Sequence, residues 1–119
     1  MAEAVQGIGG VFFRSRNPDD LRAWYATHLG IEMEEYGTTF TAKDGDQTVW
    51  APFRADTDYF GRDDQQLMVN FRVRDLDAIL AQLRAAGVDV DDRVADHEYG
   101  RFGWATDPEG NRFELWEPT

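Results

Sequence analysis

Apolar residues recur at two intervals along this chain, alternating over short stretches and elsewhere falling three or four apart, and each change of interval marks an element. Residues 5–15 are rich in Val, Ile and Phe and include Gly7, Gly9 and Gly10, which predicts a strand lying close against another backbone or a ligand. Asn17 and Pro18 stop that strand. Asn17 suits a helix cap, Pro18 the first helical position, and Asp19 and Asp20 the positive end of the dipole. The helix that follows is expected to bury Leu21, Trp24, Tyr25, His28 and Leu29 and to end in a left-handed Gly30. Three short strands are expected next, at about 31–36, 38–43 and 47–52, as an antiparallel meander with Asp44-Gly45 in a tight turn. Residues 53–66 follow neither period and read as a link.

The second half repeats this plan. Residues 67–73 alternate as a strand, Asp75 caps a helix with Leu76, Ile79, Leu80 and Leu83 on one face, and Gly87 ends it. Strands are expected at about 88–94, 101–106 and 112–117, the last two joined by Asp107-Pro108-Glu109-Gly110-Asn111. Residues echo between the halves: Phe13-Arg14 with Phe71-Arg72, Gly30-Ile31 with Gly87-Val88, and Trp50-Ala51-Pro52 with Trp116-Glu117-Pro118. The expectation is an α+β fold, a single domain over 1–119 made of two βαβββ repeats at about 5–52 and 67–118. Their mixed sheet is expected to curve around a concave cavity, since helices on one face leave the other free.

Composition changes this picture in two respects. A formal charge of −11, from 23 acidic and 12 basic residues, repels phosphate backbones and argues against nucleic acid as a partner; it also serves plain solubility. The chain lacks cysteine, which excludes disulfides, thiolate nucleophiles and cysteine-ligated metals. No segment is apolar for long enough to span a bilayer and the N-terminus is not leader-like, so the expected location is the cytoplasm, without a membrane partner.

The duplicated strand-helix-three-strand plan, Leu29-Gly30 closing the first helix, and the run Asp107 to Asn111 followed by Arg112-Phe113-Glu114-Leu115 together resemble the vicinal oxygen chelate superfamily. That superfamily includes glyoxalase I, extradiol dioxygenases, fosfomycin resistance enzymes and bleomycin-binding proteins. The resemblance covers essentially the whole chain. It implies a homodimer, and in metal-dependent members a divalent ion held by His, Glu or Gln from the first and last strands of each half. Here those positions fall on Gly10, on Met68, on Trp50 or Thr48, and on Glu114. A single carboxylate is too few donors for zinc, nickel or iron, so no metal and no other cofactor is expected. His28 reads as a packed helix residue, and His97 lies in a loop.

Glu114, flanked by Phe113 and Leu115, is expected to face inward and, without a metal, to need either a basic partner, for which Arg14, Arg72, Arg101 and Arg112 are candidates, or a protonated state. It stands as a candidate base or anchor; a buried ion pair would look the same in sequence. Trp50, Phe53, Tyr59, Phe60, Met68, Tyr99, Phe102 and Trp104 are candidate ligand contacts, each alternatively core. Arg101, among Gly100, Phe102 and Gly103, is a candidate clamp for an acidic group or else an ordinary surface arginine.

The expected function is that of a glyoxalase- or bleomycin-resistance-like protein binding a small aromatic or drug-like molecule in a metal-free cavity. The alternative is a lyase, isomerase or dioxygenase of that superfamily using Glu114 as base or an atypically ligated metal. A third reading is an interaction module whose aromatic face meets another chain.

Overall fold

A computed structural model describes residues 2–119. Its elements are β1 (Gly7–Ser15), α1 (Pro18–Leu29), β2 (Thr38–Thr41), β3 (Gln47–Arg54), β4 (Leu67–Arg72), α2 (Leu76–Ala85), β5 (Asp89–Val90), β6 (Ala95–His97), β7 (Gly100–Thr106) and β8 (Arg112–Pro118). Mixed strand pairing with two helices makes the fold α+β, as the sequence predicts. Contacts divide the chain into two compact units, residues 10–67, and residues up to 9 together with 68–119.

In the unit of residues 10–67, β3 lies between β2 and β1, antiparallel to the first and parallel to the second. Asn17 caps α1 by accepting the Asp20 N–H, and Gly30 ends it at φ 68°. The predicted stripe of α1 is not buried: only Leu21 and Tyr25 are partly covered. Tyr25 packs edge-on against Trp50, with centroids 4.3 Å apart, whereas Trp24 and Leu29 are exposed and His28 lies in solvent beside the Trp24 ring. Twelve residues on so small a sheet present too narrow a contact for a stripe of five. The predicted strand at 31–36 is absent. Glu34 and Gly37 exchange N–H···O bonds of 2.8 Å and 3.0 Å in an isolated bridge, and alternation without a partner strand does not make a ladder.

The link after β3 is organised by Arg14 of β1. Its guanidinium donates to the carbonyls of Ala55, Thr57, Arg62 and Gln65 at 2.8–3.2 Å and sits 5.1 Å from the Phe60 ring centroid. Tyr59 and Phe60 thereby come against Phe53.

In the other unit β8 lies between β4 (parallel) and β7 (antiparallel), and β5 and β6 follow one another along the outer side of β7. Of the predicted strand at 88–94 only Asp89–Val90 is strand; the chain leaves the ladder at 91–94 and pairs again as β6 beyond that range, which puts His97 at the end of a strand rather than in a loop. Asp75 caps α2 through the Ala78 N–H. Leu76, Ile79 and Leu80 pack with Val73 and Leu115, and with the partly buried Phe71, Leu83, Val90 and Phe113. The first residues of the chain complete this unit. Gln6 N–H donates to the Arg72 carbonyl at 2.9 Å, Arg72 donates to the Ile8 carbonyl at 2.7 Å, and Glu3 meets Arg74 and Gln82. No helix among the described residues is long and apolar enough to cross a membrane.

Candidate small-molecule site

Strand register decides which side chains meet. In the unit of residues 68–119, Phe71 and Leu115 face α2, so Asn70 and Glu114 face the other way. Asn70 lies opposite Glu114 across β4 and β8, and Glu114 opposite Trp104 across β8 and β7. The three form one row on the helix-free face. Asn70 Nδ2 donates to Glu114 Oε1 at 2.6 Å and Trp104 Nε1 to Oε2 at 2.8 Å. All three are buried, at 1%, 1% and 2% exposure. A buried carboxylate demands such donors, because desolvation without them costs several kcal/mol.

The rows on either side carry on the pattern. Phe102 stacks on Trp116 with centroids 6.0 Å apart and planes at 1°. Arg112 and Arg93 both lie over Trp104, their Cζ atoms 5.3 Å and 5.0 Å from the ring centroid. Asn70 Oδ1 is buried without a hydrogen-bond partner among the described residues. It is turned toward Gly9, where a Cβ would fall on it and 2.9 Å from the Trp116 ring. Glycine at that point of β1 is what lets the amide lie flat beside Glu114.

The arginines expected to partner Glu114 are engaged with other groups: Arg14 with loop carbonyls, Arg72 with Ile8, Arg101 with Asp77 and Asp96, and Arg112 with Asp91. The guanidinium of Arg101 is held charged and its pKa raised by hydrogen bonds to Asp77 and Asp96; Asp77 is correspondingly lowered. Arg101 points to the α2 side of its sheet, away from the face of Glu114. Sequence reasoning missed Asn70. Its signal was an amide in mid-strand, two residues from Met68 and on the same face, where amides are depleted.

The remaining candidates sort by face. Met68, Phe102 and Trp104 share the helix-free face with Glu114, and Met68 is wholly buried. Tyr99 is exposed in the turn between β6 and β7, stacked on His97 at 5.2 Å. In the unit of residues 10–67, Phe53, Tyr59 and Phe60 cluster with Phe12, while Trp50 lies on the opposite face, against α1.

Register also corrects the repeat. Phe13 pairs with Pro52 and Phe71 with Leu115, so the counterpart of Glu114 is Ala51, neither Trp50 nor Thr48. The echo of Trp50-Ala51-Pro52 in Trp116-Glu117-Pro118 is out of register. A divalent ion of the kind the resemblance implies does not suit these residues. Gly10, Ala51 and Met68 offer no hard donor, and Glu114 already receives N–H groups on both oxygens. Among the described residues no group of three or more His, Asp or Glu converges.

A family model described as a glyoxalase-like domain matches residues 10–116. Among curated proteins none matches the sequence. A variant of Streptomyces coelicolor methylmalonyl-CoA epimerase, solved with 2-nitronate-propionyl-CoA, superposes at TM-score 0.73 and 19% identity, over 98% of this chain and 99% of that one. The Mycobacterium tuberculosis methylmalonyl-CoA epimerase gives 0.65 at 21%, over 97% and 89%. The Mn(II)-bound glyoxalase from Novosphingobium aromaticivorans gives 0.68 at 22%, over 97% of this chain and 40% of that one. At such identities the likeness establishes the fold.

Proposed function

Because the chain belongs to the glyoxalase-like domain family, and with it to the vicinal oxygen chelate superfamily, we propose that it binds a small organic molecule against the row Asn70, Glu114 and Trp104, without a metal ion. The observation that carries this reading is the buried carboxylate of Glu114, held by two neutral donors in the middle of a sheet. An apolar residue there would be cheaper to bury. A carboxylate kept at that cost is accounted for by a ligand group that hydrogen-bonds to it. The flanking rings of Phe102, Trp104 and Trp116 supply flat apolar area for an aromatic or acyl portion.

A second reading is supported by the same side chain together with the epimerase likeness: Glu114 as a base that moves a proton in an isomerisation. Asn70 and Trp104 would then orient the carboxylate, and proton transfer would relax their hydrogen bonds. Both readings put the chemistry on Glu114 itself.

The test is a thermal-shift screen of the purified chain, in EDTA, against acyl-CoA thioesters, aromatic acids and drug-like aromatics, with the best binder titrated into Glu114→Gln. Loss of a charge-assisted hydrogen bond, about 1.5–3 kcal/mol, is expected to weaken binding about 10- to 100-fold with circular dichroism unchanged. Tight stoichiometric zinc, nickel, manganese or iron by elemental analysis, or equal affinity in the variant, would overturn the proposal. Turnover of the binder, lost in Glu114→Gln, would select the second reading.

A further inference from the structure

From the break between β5 and β6 we infer a binding site for an oxyanion, formed by Arg93 and Arg112 over the Trp104 indole, that receives a carboxylate or phosphate group of the small-molecule ligand. The inference deepens the proposed function and rests on it for the identity of the molecule carrying that group.

The argument begins with how Arg93 is placed. β5 pairs with β7 at Asp89 and Val90, and Asp91 N–H still reaches the Trp104 carbonyl at 2.9 Å. Pairing resumes only at Ala95. Between them the chain leaves the ladder, and such breaks re-aim a side chain. Here the side chain is Arg93, brought to 5.0 Å over a ring that is 2% exposed.

Asp91 fixes the arrangement from below. Its Oδ1 accepts the Arg93 backbone N–H at 2.9 Å and its Oδ2 accepts Arg112 Nη1 at 3.2 Å, while its carbonyl accepts Arg84. One carboxylate thus anchors the backbone of Arg93 and the guanidinium of Arg112, and both side chains reach the same indole.

Arg93 differs from most other arginines of the chain. Arg22, Arg54, Arg62, Arg74, Arg101 and Arg112 face carboxylates, and Arg14, Arg72 and Arg84 donate to carbonyls. Arg93 is an exposed residue whose charge acts on Asp91 without a salt bridge to it among the described residues, and its guanidinium is held over an aromatic face. A planar fork of N–H donors, with a second guanidinium at the same ring, matches the two oxygens of a carboxylate or phosphate. The indole under both guanidinium groups ties this site to Glu114 through Trp104 Nε1.

The test uses inorganic phosphate and benzoate, titrated separately into the full chain at low ionic strength while the Trp104 indole N–H is followed by NMR, assigned with Trp104→Phe. A saturable shift with at least one probe is expected. Arg93→Gln, which keeps the stem, should weaken it at least tenfold, and Arg93→Lys severalfold. Saturation with benzoate alone identifies a carboxylate and with phosphate alone a phosphoryl group. Affinity that falls with added salt supports the charge pairing. No saturable shift with either probe, or affinity in Arg93→Gln within twofold of the parent, overturns the site. The Glu114 reading is tested with the screened binder and Glu114→Gln, and this site with inorganic phosphate, benzoate and Arg93→Gln, so failure here and failure of the Glu114 reading are separate results.

Discussion

Replacing Gly9 by alanine tests whether Asn70 and Glu114 form a unit. The added methyl would fall on Asn70 Oδ1 and lie 2.9 Å from Trp116 Cε3 and 3.3 Å from Arg72 Cγ. Asn70, Trp116 and Arg72 are all at or below 9% exposure, so none can swing into solvent. Asn70 must therefore shift, and a bond of 2.6 Å to Glu114 has no slack to follow. Overpacking costs about 1–3 kcal/mol. Loss of a hydrogen bond to a buried charge adds about 1.5–3 kcal/mol, so Gly9→Ala should lose about 3–5 kcal/mol in equilibrium urea unfolding. Asn70→Ala alone removes the same bond and should lose about 2–3 kcal/mol. Once that side chain is gone the alanine at position 9 meets only Trp116 and Arg72, so the double variant should cost at least 1.5 kcal/mol less than the sum of the singles. Additivity within about 0.5 kcal/mol would refute the claim that Gly9 acts through Asn70.

Arg14→Met should lose about 3 kcal/mol and open residues 55–66 to proteolysis, because one guanidinium joins four carbonyls of that segment; a protection pattern like the parent's would contradict this. Asp75→Ala removes the cap of α2 and should cost about 1 kcal/mol in the same unfolding assay. Asp91 has its pKa lowered, first by the Arg93 backbone N–H and further by Arg112 and by the charge of Arg93, against the opposing effect of burial. Its contribution is therefore present above the ordinary carboxylate pKa and lost as pH falls through the lowered value. Asp91→Asn should flatten the acid limb of stability against pH, and an unchanged limb would remove Asp91 from its role under the two arginines.

What the sequence disclosed was local. The caps at Asn17 and Asp75 and the turn from Asp107 to Asn111 form within a few residues, and each is present, with Asp107 Oδ1 accepting from both Glu109 and Asn111. The inward direction of Glu114 followed from alternation along one strand. What stayed hidden depended on partners distant in the chain. Residues 31–36 alternate as a strand should but lack a ladder. The counterpart of Glu114 could be found only from the pairing of β1 with β3. Trp50 and Arg101 sit on dense aromatic or glycine-rich strands, yet parity turns each toward a helix. Arg93 gave no signal, since its placement follows from a break in pairing that no periodicity marks.

The unit that holds Glu114 draws its first residues from the start of the chain and the rest from position 68 onward. Gln6 and Ile8 cannot meet Arg72 until some sixty intervening residues have been made, and closing that separation is an entropic cost that must precede its reward. During synthesis Gln6 and Ile8 must therefore wait for their partner while residues 10–67 emerge with their own contacts. The carboxylate row can be assembled only after Asn70, Trp104 and Glu114 have all been made.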